Sequence, residues 1–369
     1  MRPAPKQSLF LLARLLLIAA GVGYILWTVR WNDYAAVPPG AVEAVTHLGL
    51  RSLMAEARWG WLAAGLALTA PIVPLQALRW WLLMRCRSLP VGYFATLRLT
   101  LVGLFFNFCV PLGSNGGDVV KAYGAARAVR GAGAGAEAGE RDLPPGAKTT
   151  AVISVVLDRI AGLLGLLILA AVAGPLAGGG PVARRVTLTV WVILGAVAAG
   201  AFVYLNPWTR RALGIELLTT RVGAVQSLDR AVVGYRHHRG ALAAAVALSV
   251  PVHVCLAVAT ALAGYAIGVP TALVTLVAAL PIVFLTGALP ITVLGLGVME
   301  PAAAALLEGS GTTFNQIVAM LMAYRAFLLV YGLFGGLAVL SGGGGAGGKN
   351  AADRPDAPSG ADTTRADRL

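Results

Sequence analysis

Two arginines, Arg159 and Arg325, stand inside long apolar runs of the chain. A charged side chain at membrane depth costs at least about 2.5–3.5 kcal/mol, so it must face a polar interior and find a partner. Asp158 is adjacent to Arg159 but points to a different face of a helix. Asp118 and Glu300 are therefore the better candidate partners. We expect the two arginines to serve a polar site inside the membrane rather than structure alone.

Two Gly/Pro breaks accompany these charges. Pro111 opens the segment PLGSNGGD, and Pro290 opens PITVLGLGVME. A helix that begins at a break inside a membrane points its free N–H groups and positive dipole end at a phosphate or carboxylate. The predicted substrate-binding residues are Asn115, Gly116, Gly117, Asp118, Lys121 and Arg159 for the first break, and Gly295, Gly297, Glu300 and Arg325 for the second.

Some of these residues also have a purely structural interpretation. Asp118 and Glu300 lie at predicted helix starts, where a carboxylate caps free N–H groups. Lys121 follows Asp118 by three residues, the spacing of an ion pair within one helix. The residues alone leave both interpretations open.

Signatures of catalysis and metal binding are missing from the sequence. It has no GxxxxGK[ST], GxSxG or HExxH motif, and GLGVME lacks the third glycine of a dinucleotide-binding loop. Its three cysteines have no CxxC spacing, and its four histidines lack the i, i+4 spacing of a helical metal pair. We predict no catalytic residues, no metal and no cofactor.

The composition decides which elements must carry these residues. Hydrophobic residues make up 58% of the 369 residues and charged residues only 12%, against about 45–50% and about 25% in soluble domains. Mean hydropathy is +0.78. This excludes an ordinary cytosolic globular protein, a disordered chain and a nucleic-acid-binding domain. It predicts an all-α, polytopic integral membrane protein.

The apolar runs predict about six full spans, or eight if the long hairpin arms are counted. The spans are Ser8–Thr28, Trp59–Met84 with a proline kink, Thr149–Ala173, Val186–Leu205, Ala241–Gly268 and Phe314–Leu340. The shorter pieces flanking the breaks predict two re-entrant helical hairpins. These pieces are Leu97–Val110 with Asp118–Arg130, and Thr271–Leu289 with Pro301–Glu308.

The remaining segments complete the predicted organisation. Val29–Arg58 and Asn206–Gly240 read as loops, and Gly131–Lys148 as a flexible one. Arg79, beside two tryptophans, suits a membrane–water interface. Residues 1–340 form one transmembrane domain, and residues 341–369 a disordered tail.

The two parts of the domain, residues 8–173 and 186–340, predict an inverted repeat. Each reads span, span, hairpin, span, but with opposite orientation, the pattern of inverted-repeat transporters. Pro111 and Pro290 are both followed by paired glycines and then an acid. Chance similarity between glycine-rich apolar segments is the alternative.

The net charge of +13 arises mainly in loops. The positive-inside rule then predicts an inner-membrane protein with cytoplasmic N- and C-termini, because this places the basic Asn206–Gly240 loop inside. Attraction to anionic lipid is a secondary effect.

Four strings in this order resemble a known family: Asn107–Arg127, Ser154–Leu166, Leu289–Ala302 and Tyr324–Leu333. The chain from about residue 10 to 340 is similar to the transmembrane region of lysylphosphatidylglycerol synthases, the flippase-like UPF0104 family. In the two-part synthases this region is thought to move aminoacylated lipid between leaflets, while a C-terminal soluble domain makes that lipid. No synthase domain follows residue 340, so the resemblance implies lipid transport rather than aminoacyl transfer.

The expected function is therefore a membrane lipid translocase. Its substrate would be a phospholipid or a polyprenyl-phosphate-linked lipid, bound through an anionic or phosphate-containing headgroup. The alternatives are a membrane-embedded transferase on a lipid phosphate, with Asp118 or Glu300 as general base, and a non-catalytic partner of a lipid- or glycan-modifying membrane enzyme. No nucleic-acid partner is expected.

Overall fold

The computed structural model describes residues 23–36, 45–109, 116–134, 146–176, 181–214, 223–288 and 294–342. The first predicted span, the six residues before Gly116, the break at Pro290 and the tail after residue 342 lie wholly or mostly outside these ranges. The described part is almost entirely helical, which confirms the prediction of an all-α polytopic membrane protein.

Thirteen α-helices are named here in chain order among the described residues. They are α1 (Leu50–Ala55), α2 (Trp59–Leu68), α3 (Ile72–Arg85), α4 (Tyr93–Cys109), α5 (Gly116–Ala134), α6 (Ala147–Ala173), α7 (Pro181–Leu205), α8 (Pro207–Ala212), α9 (Gly223–Val233), α10 (Arg239–Ala266), α11 (Leu273–Ala288), α12 (Met299–Leu306) and α13 (Phe314–Gly342). Two short 3₁₀ turns, Gly174–Leu176 and Gly234–His237, follow α6 and α9.

Five stretches of the described chain are long and apolar enough to cross a membrane. They are Trp59–Arg85, Ala147–Leu176, Arg184–Tyr204, Arg239–Ala266 and Phe314–Leu340, and they match five of the six predicted spans. The first stretch joins α2 to α3 through a break at Thr69–Pro71, where the proline kink was predicted. The shorter apolar helices are Tyr93–Asn107 and Leu273–Ala288, in the two predicted hairpins.

Hydrogen bonds between distant segments define two ends of the helix bundle. At one end, the Arg98 end, Arg98 Nη2 donates to the Ala338 carbonyl over 2.9 Å. At the other, the Arg58 end, Arg58 N donates to the Ala266 carbonyl over 2.8 Å. The five long stretches run between these ends, so successive spans alternate in direction.

Each predicted hairpin leaves and returns to a single end. Val91, Val129 and Ala147 pack in one cluster, which places the start of α4 and the end of α5 together near the Arg98 end. Thr271 and Thr312 share a hydrogen bond of 2.6 Å, which closes the α11–α12 hairpin at the Arg58 end. The described helices of the two predicted hairpins therefore start from opposite ends of the bundle, and the inverted repeat stays a prediction. Their depth in a membrane stays a prediction.

The predicted loop Val29–Arg58 contains more structure than expected. Tyr34–Ala36 (β1) pairs antiparallel with Val45–His47 (β2). Asp33 Oδ1 accepts a hydrogen bond of 2.7 Å from Gly49 N–H at the base of this hairpin. That bond holds the pKa of Asp33 below its usual value. Hydropathy alone gave no strand signal here, because each strand has only three residues.

The basic loop Asn206–Gly240 is also partly helical, since it contains α8 and α9. Arg210 in α8 is buried and forms two hydrogen bonds with Asp229 of α9, of 3.0 and 2.7 Å. Arg210 is therefore a structural residue of this loop and not one of its solvated charges.

Candidate functional site

One cavity of about 240 Å³ lies inside the described bundle, where the two hairpins approach each other. The first hairpin contributes Gly117, Asp118 and Lys121 to its wall, and the second contributes Gly287 and Met299. Helices α3, α6, α10 and α13 supply further polar side chains, and α4 adds Thr100 and Asn107. Described residues of both predicted hairpins thus line one partly open cavity, and the meeting of the two breaks themselves stays a prediction.

A buried carboxylate, Asp158 of α6, holds two cations at this cavity. Arg79 Nε lies 2.7 Å from its Oδ1, and Lys121 Nζ lies 3.1 Å from its Oδ2. Arg79 also donates from Nη1 to Ser249 Oγ over 2.8 Å. Asp158, Arg79 and Lys121 are only 4%, 6% and 8% exposed. The carboxylate balances one of the two positive charges, so the cluster keeps a net charge of +1 in a place from which bulk water is largely excluded.

Glycines of α6 make room for this arrangement. Asp158, Gly162 and Gly165 recur at helical spacing on one face. A Cβ on Gly165 would lie 2.3 Å from the Ser249 Cβ, and one on Gly162 would lie 3.1 Å from Arg79 Nη1. The small residues let α10 and the Arg79 guanidinium approach α6, so that Asp158 is reached from two sides.

Lys121 is positioned by Trp80 as well as by Asp158. Its Nζ lies 4.4 Å from the centroid of the Trp80 ring, a cation–π distance. Trp80 Nε1 in turn donates to Ser154 Oγ over 3.0 Å. The suggested pair of Lys121 with Asp118 inside one helix does not form, because the ammonium reaches across to α6 instead. The interfacial interpretation of Arg79 is likewise wrong, since its side chain is buried.

The second ion pair of the cavity joins Arg159 to Asp118. Arg159 Nε and Nη2 each lie 2.7 Å from Asp118 Oδ2. The Arg159 side chain is 41% exposed and that of Asp118 is 28% exposed, far more than the Asp158 cluster. The pairing expected from the sequence is present, and it occupies the open part of the cavity.

The charges that line the cavity do not cancel. Arg79, Lys121 and Arg159 give three positive charges, and Asp118 and Asp158 give two negative ones, which leaves a net charge of +1. A cavity with this balance favours an anionic group, because the protein dielectric strengthens the attraction relative to water.

Arg325 and Glu300 form a third pair, behind the cavity wall. Arg325 Nη1 lies 2.7 Å from Glu300 Oε1, and both residues are buried, at 6% and 0% exposure. Arg325 Nε also donates to the Leu294 carbonyl over 3.2 Å. Neither charged side chain lines the cavity, whereas Leu294 and Met299 do. The pair therefore holds the tip of the second hairpin from behind.

That tip has a strained backbone, which explains its glycines. Leu294, Gly295 and Gly297 have φ values of +54°, +70° and +79°, a region that glycine adopts more readily than other residues. Gly297 N–H donates to Glu300 Oε2 over 2.8 Å, so the acid closes the turn before α12; the predicted cap does not form, because no side chain caps the helix start at Val298. The second group of predicted binding residues shapes the turn instead of lining the cavity.

Gly117 serves the packing of the first hairpin. A Cβ there would lie 2.0 Å from the Gly103 carbonyl oxygen on α4, and Gly117 N–H donates to Asn107 Oδ1 over 2.8 Å. Gly117 lines the cavity and Gly116 does not, while Asn115 lies outside the described residues. The close crossing of α4 and α5 by itself explains why position 117 is a glycine, since a Cβ would not fit there.

Among the polar residues of the cavity that sequence reasoning missed are Arg79, Asn107, Asp158 and His253. The first and third carried a usable signal, because each is a charge within an apolar run. Asp158 was considered only as a partner for Arg159 and Arg79 only as an interfacial residue, so their mutual pairing was overlooked. Asn107 and His253 gave no signal, because an isolated polar residue does not reveal which helix it faces.

Comparison with known families places these features in context. The family described as Lysylphosphatidylglycerol synthase TM region matches residues 42–336 of the chain. The match includes all five long apolar stretches except the last four residues of the final one, and it spans every residue named around the cavity. A search of curated proteins finds no match.

Proposed function

Because the chain belongs to the lysylphosphatidylglycerol synthase transmembrane-region family, we propose that it translocates a lipid between membrane leaflets. The substrate is a phospholipid or a polyprenyl-phosphate-linked lipid, recognised by its phosphate-containing headgroup. Membership of the family establishes a multi-pass membrane protein that acts on lipids. The cavity with net positive charge between the two hairpins supports the more specific proposal of lipid translocation.

The energetics of the cavity support a headgroup site. Burial of several charges in an apolar bundle costs free energy even when they are paired. A packed apolar centre would be the cheaper arrangement for a purely structural protein. Retention of five charged residues around a partly open cavity is consistent with a polar cargo that passes through it.

Arg159 is the residue that we assign to first contact with the phosphate. Its guanidinium is the most exposed of the three cavity cations, and a planar fork of donors suits phosphate oxygens. An arriving phosphate would compete with Asp118 for Arg159. Asp118, once released, could accept a hydrogen bond from a cationic headgroup. Lys121, deeper in the same wall, would add a second positive charge.

The transferase alternative finds less support in the geometry. A general base must reach a proton of the substrate. Glu300 does not line the cavity and is held by Arg325 and Gly297. Both carboxylates that do line it are already bound by cations. We propose that the protein moves lipid without chemical change, in the inner membrane and with cytoplasmic termini, as the positive-inside rule requires.

Reconstitution of the purified protein into lipid vesicles tests this proposal. Fluorescent phosphatidylglycerol in the outer leaflet is bleached by dithionite, and the protein should make the inner-leaflet pool accessible as well. Arg159→Ala should reduce this exchange at least tenfold. The matched control is Arg127→Ala, which removes an exposed arginine of α5, and it should exchange lipid like the natural protein.

Two outcomes would contradict the proposal. Equal loss in both variants would place the effect outside the cavity. Absence of exchange by the natural protein, with lipid still bound, would favour the remaining hypothesis of a non-catalytic partner for a lipid- or glycan-modifying enzyme. Addition of a candidate enzyme to the same vesicles then examines that hypothesis directly.

A further inference from the structure

His253 of α10 has a ring nitrogen that the ion pairs of the cavity leave unused. Its side chain lines the cavity wall together with Arg79 and Asp158. Its Nε2 lies 3.0 Å from the Gly162 carbonyl oxygen. Its Nδ1 is buried and has no hydrogen-bond partner in the described part of the chain. A buried polar atom without a partner is uncommon enough in folded proteins to require an explanation.

The Gly162 contact fixes the chemical character of this free nitrogen. A carbonyl oxygen only accepts hydrogen bonds, so Nε2 must carry the proton and donate it. In the neutral ring the other nitrogen, Nδ1, is then a hydrogen-bond acceptor, and no donor of the described residues faces its lone pair. His253 therefore keeps a hydrogen-bond acceptor, fixed in one tautomer, in the wall of the cavity.

The position of His253 follows from α10. Ser249 and His253 stand four residues apart and share a helix face. Ser249 accepts from Arg79, and His253 donates to Gly162 on α6. The same helix face thus holds one end of the buried cation cluster and, one turn further on, the histidine. Helix α10 thus brings the buried cations and the histidine to the same stretch of the cavity wall.

We infer that His253 Nδ1 accepts a hydrogen bond from a hydroxyl or amino group of the lipid headgroup, next to its phosphate. This inference rests on the proposed function and adds a selection rule to it. Cations alone accept any phosphate ester, but a fixed buried acceptor discriminates against headgroups that have no donor, because its lone pair would then stay unsatisfied. The favoured substrates carry both an anionic phosphate and a nearby O–H or N–H group.

Two pairs of short-chain lipids isolate this rule in the natural protein. Phosphatidylglycerol and phosphatidylmethanol have the same charge, but only the first has headgroup hydroxyls. Phosphatidylethanolamine and phosphatidylcholine are both zwitterionic, but only the first has N–H donors. Titrated into the purified full-length protein in detergent, the donor-bearing member of at least one pair should bind about fivefold more tightly, as expected for one net hydrogen bond. The pair that shows the preference identifies the donor as hydroxyl or amino.

Substitutions assign the preference to the histidine. His253→Phe keeps a ring but removes the acceptor, so both members of that pair should bind equally. His253→Gln keeps a donor for Gly162 and a neutral acceptor, and it should restore most of the preference. His237→Phe, at an exposed histidine outside the cavity, is the control and should leave the preference unchanged.

The outcomes separate this inference from the proposed function. Equal binding within both lipid pairs by the natural protein overturns the role of His253 while leaving a phosphate site intact. A preference that persists in His253→Phe also overturns it. Failure to bind any of the four lipids overturns this inference and removes phospholipids from the proposed function, which then keeps only a polyprenyl-phosphate-linked substrate. The comparison of lipids on the natural protein decides the matter even if a variant does not fold.

Discussion

Substitution of Asp158 by asparagine should destabilise the fold far more than the same change at Asp118. Asp158 forms ion pairs with both Arg79 and Lys121, at 2.7 and 3.1 Å, and all three side chains are at most 10% exposed. Asparagine keeps the size of the side chain but removes its charge. Two buried cations then face each other without an anion.

The magnitude follows from burial. Removal of one partner from a buried ion pair typically costs about 3–5 kcal/mol, because the remaining charge is left desolvated. The Arg159–Asp118 pair is 41% and 28% exposed, so solvent screens it and reduces its contribution to about 0–1 kcal/mol. The two acid-to-amide changes should therefore differ by at least about 2 kcal/mol in the free energy of unfolding.

Unfolding of the purified protein in mixed micelles, titrated with a denaturing detergent and followed by circular dichroism, measures this difference. A second change supplies an internal check: Lys121→Met in the Asp158→Asn background removes one of the unpaired cations and should recover part of the loss. A double-mutant cycle then gives the coupling between Lys121 and Asp158. Equal destabilisation by the two asparagine variants, or no recovery in the double variant, would refute the reasoning from burial.

Three further predictions concern packing, the basic loop and orientation. Gly117→Ala should lower the melting temperature, because its Cβ would lie 2.0 Å from the Gly103 carbonyl, whereas Gly60→Ala has open space and should not; unaltered melting of both would contradict the close crossing. Arg210→Ala should also destabilise, since it leaves Asp229 without its bidentate partner, while Arg239→Ala at an exposed position should not. A single cysteine at Ser227, in a background without the native cysteines, should resist an impermeant thiol reagent in intact cells, and ready labelling would reverse the orientation.

Periodicity and composition predicted the spans well, because membrane crossing depends on properties that sum along a segment. Trp59–Arg85 was expected almost to the residue, and its internal break was expected from Pro71 and Pro74. The three-residue strands at Tyr34 and Val45 were not, because their pairing arises from a long-range contact and not from a local pattern. The local sequence specifies the length of an apolar helix. It does not specify which distant residue a polar loop residue contacts in the folded protein.

The candidate site was likewise predictable from the sequence only in part. The cost of a charge in lipid correctly indicated that Arg159 and Arg325 need acidic partners, and both predicted acids are in contact with them. The same argument would have paired Arg79 with Asp158, had it been applied to every charge in an apolar run. The argument does not say which pair faces a cavity. That depends on how helices cross, which small residues such as Gly162 and Gly165 decide.

The two arginine–acid pairs of the hairpins illustrate why residue chemistry alone does not define a site. Arg159–Asp118 and Arg325–Glu300 have the same charges and the same contact distance of 2.7 Å. The first is open to the cavity, so a ligand can exchange with one of its members at the small cost of a screened contact. The second is buried, and its arginine also donates to the carbonyl of Leu294, a residue with a strained backbone. Disruption of this pair would therefore cost several times more free energy. Its exposure thus suits the Arg159–Asp118 pair to ligand recognition, whereas burial suits the Arg325–Glu300 pair to holding the hairpin tip in place. A charged residue that binds a ligand must be paired weakly enough to exchange its partner in the protein for that ligand.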